Sequence, residues 1–178
     1  LIFKNDHSRI LIRYHVFFKL NKEFLLRNLL RYYDVIFGYE TLFDDSFYLQ
    51  ENKKIILGSA LDNNFLNFKV IWNFIVEKLN NPKRVKEILL LEDQAHCTCL
   101  QYAANGKDDQ SFGFMIDIYK KNFKAEKIKE IVLKFNHQRF PFIYDVMSFK
   151  SMKRCDDVSD FLHDLFNDDK ITLRNYLN

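Results

Sequence analysis

The chain has 178 residues and a mass of 21.6 kDa, 48% hydrophobic and 16% aromatic, which supplies a core and excludes general disorder. Four Gly and two Pro are too few for the tight turns of a sheet-rich sandwich or for a glycine-rich phosphate loop. A net charge of +3 is too mild to argue by itself for nucleic acid.

The charge is unevenly spread. Lys170 and Arg174 against Asp156, Asp157, Asp160, Asp164, Asp168 and Asp169 leave residues 155–178 at −4 and the first 154 at +7. This suits an acidic terminal helix on an otherwise mixed surface. Cys97, Cys99 and Cys155 are an odd set and make no disulfide framework, so reduced thiols in a cytoplasmic or nuclear protein are expected. No uninterrupted apolar run reaches membrane-spanning length, because the richest, Ile10 to Leu20, is broken by Arg13, His15 and Lys19. Nothing resembles a signal peptide. The chain opens with Leu1 and reads as a fragment of something longer.

A repeat of 43 residues organises the chain. Leu57-Gly58-Ser59-Ala60 maps at that offset onto Leu100-Gln101-Tyr102-Ala103, and again onto Ile143-Tyr144-Asp145-Val146. Ile75 maps onto Ile118 and Phe161, and Lys86-Glu87-Ile88-Leu89-Leu90 onto Lys129-Glu130-Ile131-Val132-Leu133. The expected units are about 10–56, 57–99, 100–142 and 143–178, forming a single domain. Each reads as three short helices, which makes the fold class all-α: a helical repeat solenoid of about four units.

The elements follow in chain order. Ile10–Leu20 alternates apolar and other residues as a strand would, but its position in the unit favours a first helix. Asn21–Phe37 carries a helical stripe of Leu26, Leu29, Leu30, Tyr33 and Phe37 behind the cap candidate Asn21. Phe43, Phe47 and Tyr48 fit a third helix with a register slip of about one residue. In unit two, Phe68–Leu79 places Phe68, Ile71, Trp72, Ile75 and Leu79 at helical spacing. A third helix follows with Val85, Ile88 and Leu89, and with Pro82 in its first turn, where the missing N–H is harmless.

Unit three opens with a first helix from Thr98 to about Asn105. Thr98 is placed to accept a bond from an early backbone N–H, and Asn105-Gly106 to form a left-handed stop. Its second helix carries Phe112, Met115, Ile118, Tyr119 and Phe123, and its third runs from Ala125 to Leu133. The last unit begins at Phe140-Pro141-Phe142. It then shows a stripe of Val158, Phe161, Leu162, Leu165 and Phe166 at i, i+3, i+4, i+7 and i+8, with Asp157, Asp160 and Asp164 opposite. Aromatic and Met stripes of this kind read as core.

The stretch from Asp93 to Gly106 resembles the opening of an ankyrin repeat, whose signature is Thr-Pro-Leu-His-x-Ala followed by Gly. Thr98, Leu100, Ala103 and Gly106 match, while Cys99 stands for the Pro and Gln101 for the His. The added Lys-Glu-Ile helix accounts for a period longer than the usual ~33 residues. The whole is similar to long, divergent ankyrin-like repeats. By length, HEAT and armadillo repeats of about 40–47 residues are the alternative. The resemblance implies a non-enzymatic protein–protein interaction module. A partner protein would be met through loop tips and the exposed side of the first helices, near Asn63, Gln101, Asn105, Lys107, Tyr144 and Lys150.

No catalytic or metal-binding set and no cofactor motif is read from the residues. His96, Cys97 and Cys99 are followed by no second Cys/His pair at zinc-ligand spacing. Asp44-Asp45, Asp108-Asp109 and Asp168-Asp169 read as turns and caps. Lys120, Lys121, Lys124, Lys127, Lys129 and Lys134 form a basic cluster. Lys120, Lys124 and Lys127 are placed for one face, which Lys83, Arg84 and Lys86 would continue in the previous unit. Interleaved Glu126 and Glu130 favour a solvated back. The alternative is binding of nucleic acid or anionic lipid through this Lys-rich face.

Overall fold

A computed structural model of the chain describes residues 23–37, 65–92, 96–106, 108–134, 152–167, 171–172 and 174. Seven helices are formed among them and no strand: α1 (Glu23–Phe37), α2 (Phe65–Leu79), α3 (Pro82–Leu89), α4 (Cys99–Asn105), α5 (Asp109–Asn122), α6 (Ala125–Leu133) and α7 (Met152–Leu165). The all-α expectation holds for these residues. No helix among them is long and apolar enough to cross a membrane. Ile10–Leu20, the Phe43–Tyr48 stretch and the expected first helices at 57–60 and 143–146 lie outside the described residues.

The 43-residue offset reappears in the helix bounds. Asp109–Asn122 shifted by 43 gives Met152–Leu165, and Leu79, Asn122 and Leu165 end their helices at that same interval. Buried positions recur with it: Trp72, Met115 and Val158; Ile75, Ile118 and Phe161; Val85 and Ile128; Ile88 and Ile131; Leu89 and Val132. At these positions the helices face inward alike, whereas Phe65, Asn67, Val70 and Phe74 are buried where Asp108, Gln110, Gly113 and Asp117 are exposed.

Packing centres on α2 and α5. Helix α2 buries Phe65, Asn67, Phe68, Val70, Ile71, Trp72, Phe74 and Ile75. The helix stays exposed at Leu66, Asn73, Val76, Glu77 and Lys78, and α1 and α3 pack against it. Helix α5 is packed against by α3, α4, α6 and α7. Rings join these elements edge to face. Phe114 meets Phe65 at 5.5 Å and Phe68 at 6.0 Å, and Phe112 meets Phe161 at 5.7 Å. Such geometry sets a positive ring edge against a negative face.

The two corners after α2 and α5 differ. After α2, Asn80 adopts φ 38, a left-handed conformation that Asn tolerates. Asn81 then accepts from Lys83 N at 3.0 Å and Arg84 N at 3.3 Å, and Pro82 starts α3. Forty-three residues on, these positions are Phe123, Lys124 and Ala125. Phe123 stays extended with its ring 5.6 Å from Tyr119, and Lys124 provides no side-chain cap to α6. The first corner is held by a side-chain cap, the second by a ring contact and a backbone bond from Phe123 N–H to Tyr119 O, four residues back.

One expectation about local geometry changes. Gly106 ends α4 at φ −61, extended and not left-handed, because α5 begins only three residues later and the chain must keep going forward. Helix α7 starts at Met152, before its apolar stripe, so the acidic pair Asp156-Asp157 lies inside the helix.

Candidate interaction site

Two surfaces carry residues singled out in the sequence: the region around α4 and the Lys-rich corner between α5 and α6. Thr98 precedes α4 in an extended conformation, and both its backbone N–H (2.6 Å) and its hydroxyl (3.0 Å) donate to Gln101 Oε1. Gln101 thus supplies the reciprocal half of a capping box. It is 2% exposed, so it does not sit on an exposed recognition face as the resemblance implied. Its polarity serves the helix start, and its Nε2 finds no acceptor among the described residues. Asn105, at the end of α4, is half-buried. Asn63, Lys107, Tyr144 and Lys150 lie outside the described residues.

Ala103 and Ala104 are fully buried on α4, which lets α5 approach closely. Ser111 uses this proximity. Its hydroxyl lies 3.1 Å from Ala103 O and 2.7 Å from Asp108 O. Cys99 is buried, Cys97 is half-buried, and neither is in a disulfide. His96 is exposed at φ 58, with Nδ1 3.4 Å from Glu92 Oε2. Among the described residues no three His, Cys, Asp or Glu side chains come together as a metal-binding group.

The basic cluster divides into two clefts. One, of about 450 Å³, lies at the α5–α6 corner and is lined by Lys86, Lys121, Asn122, Phe123, Lys124, Glu126 and Lys127. Lys86 arrives from α3, as the sequence suggested. Lys120 does not join it. It lines a second cleft of about 350 Å³ with Lys129, Phe161 and Asp164, where the acidic face of α7 begins. The single face of Lys120, Lys124 and Lys127 is therefore split, because the turn at Phe123 separates the end of α5 from the start of α6.

Several cations nearby are already neutralised. Lys127 bonds Glu130 at 2.6 Å, Arg84 bonds Glu87 at 2.9 Å, and Lys134 bonds Glu92 at 2.6 Å. The Lys127 hydrogen bond holds the Glu130 carboxyl below its ordinary value, with Lys134 adding to the effect. Among the described residues, Lys86, Lys121 and Lys124 stand in no ion pair. No protein-family model, curated protein or solved structure compared with the chain matches it.

Proposed function

We propose that the chain is a non-enzymatic protein–protein interaction module, built as a solenoid of ankyrin-like helical units and working in the cytoplasm or nucleus. The observation that supports this reading is the recurrence of helix bounds and inward positions at 43 residues. Units that repeat in this way bury a continuous core between neighbours and leave a long exposed surface for a partner. Asn63, Asn105, Lys107, Tyr144 and Lys150 are the proposed contact residues. Gln101 is removed from that set by its burial.

The test is affinity capture with the full chain, followed by titration of the captured protein against purified variants. Asn105→Ala, Tyr144→Ala and Lys150→Ala should weaken binding of that protein while the unfolding midpoint stays near wild type. Unchanged affinity in all three would remove the proposed surface.

A further inference from the structure

We propose that the α5–α6 corner is a binding site for a small anion carrying several phosphate groups, a ligand separate from the protein partner proposed above. Lys86, Lys121, Lys124 and Lys127 converge on one open cleft of about 450 Å³, a volume within the range of small-molecule sites. Among the described residues, Glu126 is the only acid lining it. Three of the four lysines have no carboxylate in ion-pair reach among the described residues. The cleft thus gathers cations from two units and leaves most of their charge uncompensated.

The helix start at the same place adds to the imbalance. Lys124 holds the N-cap position of α6 and gives its backbone carbonyl to Lys127 and Ile128. It offers the first turn no side-chain acceptor. The positive end of a helix favours anions and disfavours cations. At the equivalent place in α3, Asn81 caps the helix. Replacing that cap by a lysine, and setting three more lysines around it, is unfavourable in the empty protein and is relieved when an anion enters.

The pattern of neutralisation selects the size of the ligand. Nucleic acid needs a track of free cations along its backbone. Here Arg84 and Lys134, which would extend the cluster, are bonded to Glu87 and Glu92, and Asp164 borders the next cleft. Among the described residues Lys83, Lys120 and Lys129 also stand in no ion pair, but they do not line this cleft, and the four lysines that do are gathered at one corner. That fits a compact polyphosphate or a phosphorylated head group, free or carried on a lipid.

The test is calorimetric titration of the full chain with inorganic tripolyphosphate at low salt. Wild type should bind. The Lys121→Gln/Lys124→Gln double variant, and separately Lys86→Gln on α3, should bind more weakly, the double variant by roughly tenfold or more. Lys153→Gln, an exposed lysine on α7, should bind as wild type does. All of these side chains are exposed, so thermal midpoints should not fall. Vesicles carrying phosphatidylinositol bisphosphate, set against phosphatidylserine vesicles of equal charge, distinguish the sources. Capture by the first alone, lost in the double variant, assigns a lipid head group, and tripolyphosphate binding without capture assigns a soluble ligand. The proposal is overturned if wild type does not bind tripolyphosphate, or if Lys153→Gln loses as much affinity as the double variant. It is also overturned if single-stranded RNA binds with a salt slope of many charges, for that requires an extended track.

Discussion

The Tyr119 hydroxyl on α5 donates to the Leu89 carbonyl at the end of α3, at 2.6 Å and fully buried. A helix leaves its last four carbonyls without partners inside the helix, and this one is satisfied by a side chain of α5. The bond therefore joins α3 to α5 through a group that α3 leaves unpaired. Tyr119→Phe should destabilise the protein by about 1–3 kcal/mol, because a buried carbonyl is left unpaired. Urea unfolding of the variant should show a lower midpoint with an unchanged slope. Equal midpoints would mean that water reaches Leu89 O.

The same hydroxyl predicts an alkaline weakness. Burial pushes the Tyr119 hydroxyl well above its ordinary value of 10.0, and the neighbouring Cys99 adds to the rise. Because the folded value is the higher one, the contribution of the neutral hydroxyl is fully present below pH 10. It is lost as pH climbs from there toward the folded value. Stability measured from pH 9 upward should fall more steeply in wild type than in Tyr119→Phe. Parallel curves would assign the loss to other groups.

The helix bounds were largely legible in the sequence, because their signals are local. Asn81 and Pro82 fix the start of α3, and the run from Ala125 to Leu133 is a helix over that full length. The burial of Gln101 was not legible, since a glutamine three residues after Thr reads equally as a surface residue until its capping bond is seen. The Tyr119–Leu89 bond was hidden for a different reason. It spans 30 residues and follows from how α3 meets α5, which periodicity does not encode. At the Lys-rich corner, membership of Lys86 was readable as a continuation of the basic stripe. The departure of Lys120 was not, because it depends on the direction the chain takes after Phe123.

Gly113 sits exposed in the middle of α5, and an added Cβ would meet nothing within 4 Å. Glycine is disfavoured in a helix interior by roughly 0.5–1 kcal/mol relative to alanine. Gly113→Ala should raise the thermal midpoint by an amount of that order. A lower midpoint would show that the surface at Gly113 is closely approached by another part of the chain.

Lys124→Asn should stabilise the empty protein by about 0.5–2 kcal/mol, since it restores at α6 the cap that Asn81 gives α3 and removes a cation from the positive helix end. Differential scanning calorimetry without added phosphate reads the effect. The same variant should bind tripolyphosphate less tightly. A variant that is less stable than wild type would show that the Lys124 stem contributes packing that outweighs its charge.

Phe112 and Phe161, edge to face at 5.7 Å, tie α7 to α5. Phe161→Ala should cost about 3–5 kcal/mol. In a double-mutant cycle with Phe112→Ala, the coupling should be of order 0.5–1.5 kcal/mol beyond simple burial. Additive losses would mean that the two helices associate through other side chains, with α7 near the rings but not anchored by them.

The corner Asn80-Asn81-Pro82 takes its shape from a left-handed Asn and a side-chain cap, and the corner Phe123-Lys124-Ala125 from a ring laid against Tyr119, four residues back. Both sets of contacts lie within a few positions of the bend they shape. A chain emerging from its amino end during synthesis therefore holds the partners of each corner as soon as that corner is made. Neither bend has to wait for the chain that follows.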